Sequence, residues 1–147
     1  MSSVFCKNAK KTFRQKKKTF VKNGQNFSLP IFYNRSTYKR EGITMKICAD
    51  YSNRVLYIRL CGEVDEHNAS SARKDADKLA DDFAVRAQRA VIDLSSVSFM
   101  DSTGIGFLIG RYKKFSRYGV PVYVTNPSQA TDRILQMSGV YTLMPRI

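Results

Sequence analysis

The chain has 147 residues, 43% hydrophobic and 12% aromatic, enough for one domain with a real core. Its formal net charge is +13, yet residues 1–44 hold 11 Lys and Arg against one acid, while residues 45–147 hold 14 against 11. The later part is close to balanced, which argues against nucleic acid as its direct partner, and no apolar run is long enough to span a membrane.

Residues 1–44 show neither helical nor strand periodicity and include the charge run Lys10-Lys11-Thr12-Phe13-Arg14-Gln15-Lys16-Lys17-Lys18. They are expected to be a basic, disordered extension, with a nucleic-acid- or lipid-binding arm as the alternative. A further expectation is that they are untranslated leader and that the native chain starts at Met45. The reason is that Arg40-Glu41-Gly42 can be encoded by a purine-rich run like a ribosome-binding site just ahead of that Met.

From Met45 the pattern sharpens. Residues 46–50 and 55–61 predict two strands joined by a turn at Ser52-Asn53-Arg54, with Leu56, Ile58 and Leu60 facing the core. Asp65 opens a helix that runs to about Phe83, with Ala69, Ala72, Ala76, Leu79 and Phe83 inward. Residues 90–94 predict a buried strand. After the loop Ser95-Ser96-Val97-Ser98, Asp101 starts a second helix over residues 101–118, ended by Gly119 and Pro121. Its expected buried face is Ile105, Leu108, Ile109, Tyr112 and Phe115. The opposite face carries Thr103, Phe107, Gly110 and Lys114, and an exposed Phe107 beside little side-chain relief suits docking by another protein. The alternative is that the helix glycines serve helix–sheet packing. Residues 120–124 predict a strand. Ser128 caps a third helix, Gln129–Met137, with Ile134 and Met137 inward, and residues 141–144 predict a last strand. Alternation of strands and helices implies an α/β fold with a mixed, mostly parallel sheet.

Little here speaks for catalysis. The one histidine, His67, sits near a helix start, Ser102 lacks a nucleophile elbow, and the glycines of the second helix fit neither dinucleotide nor P-loop spacing. No cofactor or metal is called for, and the chain is expected not to be an enzyme. Cys48 and Cys61 fall in apolar strand-like runs and are expected to be buried thiols, as suits a reducing cytoplasm.

Three motifs together carry a resemblance. Phe99-Met100-Asp101-Ser102-Thr103-Gly104-Ile105-Gly106 is followed by Gly110-Arg111-Tyr112-Lys113. Upstream stands Leu56-Tyr57-Ile58-Arg59-Leu60-Cys61-Gly62-Glu63-Val64-Asp65, and downstream Met137-Ser138-Gly139-Val140. In order and spacing this resembles the STAS domain of anti-sigma factor antagonists, of the sporulation type, over residues 45–147. The resemblance implies helices mainly on one face of the sheet and a further C-terminal helix beyond Arg146-Ile147. It implies Ser102 as a phosphorylated serine, with Thr103 as its neighbour. It places Asp65 and Asp101 beside Ser102 on a partner-binding surface, and Thr103, Gly104, Phe107 and Gly110 are assigned to the same surface. It implies as partners an anti-sigma factor that is also a serine kinase and a PP2C-type phosphatase, all in the cytoplasm. A STAS module of another signalling or transporter-associated pathway is the alternative.

Overall fold

The computed structural model describes residues 45–147 and, ahead of them, the backbone of three two-residue strands: β1 (Val21–Lys22), β2 (Gln25–Asn26) and β3 (Tyr33–Asn34). β1 pairs with β2, and β3 lies antiparallel on the edge of the main sheet. None of these pairings was expected, and the other expectations for residues 1–44 lie outside the described residues.

The main elements are β4 (Lys46–Ser52), β5 (Val55–Val64), α1 (Glu66–Phe83), β6 (Arg89–Met100), α2 (Ser102–Ser116), β7 (Val122–Thr125) and α3 (Gln129–Met137), with a 3-10 turn at Val140–Thr142. The sheet order is β3-β4-β5-β6-β7. β4 and β5 form an antiparallel hairpin, and β5, β6 and β7 run parallel. Asn53 and Arg54 both take positive φ, the geometry of the two-residue turns that suit twisted hairpins. One sheet face presents Ile47, Leu56, Ile58, Leu60, Ile92, Leu94, Val122 and Val124, all buried. Against it pack the alanine stripe of α1, Leu108 and Phe115 of α2, and Leu135 of α3 in one core. The helices thus pack on one face of the sheet, as the resemblance implies.

Four details depart from the sequence reading. β6 extends through the serine-rich stretch to Met100, because β5 stays paired with it through two register shifts around Gly62, whose φ is +96. The last strand is a 3-10 turn entered through Gly139, with a single bridge from Arg146 to β7. On α3 the inward residues are Thr131 and Leu135, while Met137 is 83% exposed. On the sheet face away from the helices Cys61 is buried but Cys48 is exposed.

The largest correction concerns α2. Phe107 is 1% exposed, and the buried stripe is Gly104, Phe107, Leu108, Arg111 and Phe115, while Ile105, Ile109 and Tyr112 are only partly buried. The cause is that α2 packs on α1 as well as on the sheet. Arg111 pairs with Asp77 at 2.9 Å and donates to the Arg73 carbonyl at 3.1 Å, with its guanidinium 5.0 Å over the Phe107 ring. Burial pulls the Arg111 pKa below the ordinary value, and the Asp77 carboxylate opposes that. A second packed flank draws a polar residue and an aromatic inward that a single apolar stripe leaves outside.

Candidate docking surface

β5 and β6 are parallel neighbours, and their last residues, Val64 and Met100, are in register. The residue after each strand is an aspartate, and each aspartate caps the next helix. Asp65 Oδ1 accepts from the Asn68 backbone N–H at 3.0 Å and the Asn68 amide at 2.9 Å. Asp101 Oδ1 accepts from the N–H groups of Thr103 at 2.8 Å and Gly104 at 3.1 Å. Both helices therefore start at the same edge of the sheet, each with a carboxylate on its first free N–H groups. The Asp101 N–H also reaches the Val64 carbonyl at 3.5 Å, which ties the two strand ends together.

Ser102 is the first residue of α2 and is exposed, whereas Thr103 is half-buried. Gly104 is buried because a Cβ there would stand 2.5 Å from Met100 Cγ and 2.8 Å from the Val64 carbonyl oxygen. It is the close contact between α2 and the strand end, so the packing alternative holds for this glycine. At Gly106 and Gly110 a Cβ would meet nothing within 4 Å, so these two do not serve packing. The structure thus brings Asp65, Asp101, Ser102 and Thr103 together, leaves Gly110 on the open flank of α2, and withdraws Gly104 and Phe107 from the surface.

One exposed aromatic was missed. Phe99 is 52% exposed and stands in register with Glu63, just before the two aspartate caps. Reading residues 95–100 as a strand would have found it, since alternation sets Phe99 opposite to the inward Met100. A groove of about 380 Å³ lined by Tyr112, Ser116, Val120, Tyr123 and Leu143 lies at the other end of α2. Among the described residues no group of His, Cys, Asp and Glu could hold a metal ion, and no helix is long and apolar enough to cross a membrane.

This strand–aspartate–helix arrangement, repeated on neighbouring parallel strands, coincides with a family match: the STAS domain profile fits residues 46–147. The chain belongs to the STAS-domain family. Among its relatives, the anti-sigma F factor antagonist of Paenibacillus polymyxa is 31% identical over 103 residues, covering 70% of this chain and 86% of the relative. The anti-sigma-B factor antagonist of Bacillus subtilis (strain 168) is 29% identical over 85 residues, 58% of this chain and 74% of that one. The fold matches the unphosphorylated anti-sigma factor antagonist SpoIIAA with a TM-score of 0.55 at 23% identity, over 72% of this chain and 88% of that one. It also matches an antagonist from Mycobacterium paratuberculosis with a TM-score of 0.62 at 23% identity, over 70% and 85% of the two chains.

Proposed function

We propose that this protein is an anti-sigma factor antagonist of the bacterial cytoplasm, a regulatory binding protein and not an enzyme. Unphosphorylated, it binds an anti-sigma factor that is also a serine kinase, and the captured sigma factor is released. The kinase, carrying its own ATP and magnesium, phosphorylates Ser102, and a PP2C-type phosphatase reverses the modification. The observation that carries this reading is the exposed Ser102 at the start of α2, beside two aspartate-capped strand ends. The likeness to curated antagonists supports it.

The switch is local. A phosphate adds about −1.5 to −2 charges to a surface that already bears Asp65 and Asp101. Two first-turn N–H groups of α2 are already taken by Asp101, so the helix start neutralises little of the added charge. Repulsion and desolvation then weaken docking without refolding the domain. Thr103 and Gly110 complete the contact surface; Gly104 supports it from beneath.

The test uses the full chain with a cognate serine-kinase anti-sigma factor, ATP and magnesium. Phosphate is expected on Ser102 alone, and Ser102→Ala abolishes labelling while retaining binding. Phosphorylation or Ser102→Asp lowers affinity at least tenfold, the equivalent of about 1.4 kcal/mol. Phosphate on Thr103 in the unaltered protein refutes the assignment.

A further inference from the structure

The sheet face turned away from the helices carries a feature that partner docking does not use. Cys48 stands in register with Arg59 and Lys46 with Cys61, so Cys48 and Cys61 are diagonal neighbours across the β4–β5 hairpin. Strand alternation puts both on the same side, opposite Ile47, Leu60 and the core. Neither is in a disulfide; Cys48 is exposed and Cys61 buried. Cys61 is the largest influence on the Cys48 thiol and lowers its pKa. The charged groups around Cys48 on this face are Lys46 and Asp50 on its own strand and Arg59 across the hairpin. Asp93 of β6 pairs with Arg59 at 2.7 Å.

We propose that Cys48 and Cys61 form a redox-active dithiol, with Cys48 as the attacking thiolate and Cys61 as the resolving thiol, oxidised by a low-molecular-weight disulfide. Two features of the site fit those roles. The exposed sulfur can be reached by a small disulfide, whereas the buried one cannot be reached first. The Cys48 thiol is held down to about pKa 6, first by Cys61, against the pull of burial, and then by Arg59 and Lys46. It is therefore mostly thiolate at neutral pH.

The exchange balances as two displacements. The Cys48 thiolate attacks one sulfur of RSSR, forming Cys48–S–SR and expelling RS⁻. The Cys61 sulfur, losing its proton, then attacks Cys48 Sγ, forming the Cys48–Cys61 disulfide and releasing the second RSH. The two cysteines lose two electrons in total, and RSSR takes up both. Diagonal neighbours across a hairpin stand about 7–8 Å apart, at the limit of a disulfide's span, so the second step draws the two strands together locally as the S–S bond forms. This inference is independent of the partner-switch reading.

The experiment treats the reduced full-length chain with oxidised glutathione at pH 7, quenches with acid and maps the disulfides by peptide mass. The expected product is an intramolecular Cys48–Cys61 bond, removed by dithiothreitol. Cys61→Ala stalls with glutathione on Cys48, and Cys48→Ala leaves Cys61 reduced. Iodoacetamide alkylation of the unaltered protein reads the thiolate directly: at pH 7 Cys48 reacts at least ten times faster than Cys61. In Cys61→Ala the alkylation midpoint of Cys48 moves up by a pH unit or more. A bond from Cys6 to either residue, a Cys48–Cys61 pair that stays reduced, or an alkylation midpoint unmoved by Cys61→Ala overturns the proposal.

Discussion

Replacing Phe107 by alanine tests the packing of α2 most directly, because an exposed and a buried Phe107 predict opposite results. The side chain is 1% exposed and lies in the core cluster with Leu108 and Phe115. Truncating a buried phenylalanine costs about 3–5 kcal/mol, from lost transfer free energy and from the cavity left behind. A further loss falls on Arg111. Its guanidinium sits over the Phe107 ring, and its Nε has no hydrogen-bond partner, so it forfeits its aromatic neighbour in a poorly solvated place. A domain's total stability is about 5–15 kcal/mol, so the variant should be close to unfolding at moderate temperature. At about 4–8 °C per kcal/mol for a domain of this size, Tm should fall by roughly 12 °C or more. Urea titration and thermal melts followed by circular dichroism measure this, and Phe107→Leu should recover most of the loss. A Tm shift below about 4 °C together with weaker partner binding would show that Phe107 faces solvent, and would refute the two-flank packing of α2.

The α2 glycines and one buried carboxylate give further tests. Gly104→Ala should destabilise the domain in urea titration, because the new methyl meets the Val64 carbonyl, which is backbone and cannot swing away. Gly110→Ala, in open space, should instead stabilise by about 0.5–1 kcal/mol through helix propensity while weakening partner docking; equal destabilisation by both would show that Gly110 is packed. Asp93 is 7% exposed and accepts from Arg59 at 2.7 Å and from the Ser95 N–H at 2.9 Å. Burial pushes its pKa up, but the Ser95 N–H and Arg59 outweigh that and hold the carboxyl below the usual value. Its stabilising contribution is therefore present above the ordinary carboxylate range and is lost as pH falls through the lowered pKa. Asp93→Asn should cost about 1–3 kcal/mol at pH 7 and progressively less below about pH 4, as followed by urea titrations across pH. A cost that does not change with pH would show that the Asp93 charge adds nothing.

Much of this fold could be read from residue order alone, for identifiable physical reasons. Leu56, Ile58 and Leu60 alternate strictly because β5 has one face on the core, and Ala69, Ala72 and Ala76 recur at helical steps because α1 lies close on the sheet. Asp65, Asp101 and Ser128 each accept a first-turn N–H, so three helix starts were visible from one residue type apiece. What stayed hidden depends on contacts distant in sequence. The serine-rich end of β6 is strand only because β5 shifts register to follow it. The rotation of α2 depends on Gly104 meeting Val64, forty residues earlier, and on Arg111 meeting Asp77. The exposure of Cys48 follows from a sheet face that the helices do not cover, which its apolar neighbours in sequence do not reveal.

The same distant contacts bear on the proposed switch. Asp65 and Asp101 each commit one carboxylate oxygen to capping, and the backbone behind them is joined by the Val64–Met100 register and by Gly104 pressed onto Val64. Both charges are thus held on fixed backbone, close to neighbouring strand ends, with Ser102 exposed next to one of them. A surface fixed in this way gives a phosphate no slack to relax into: the added charge meets carboxylates whose positions are set by the core. On the proposed reading the domain registers phosphorylation as a change of surface charge at constant shape, with the rigidity supplied by the contacts that conceal Gly104 and Phe107.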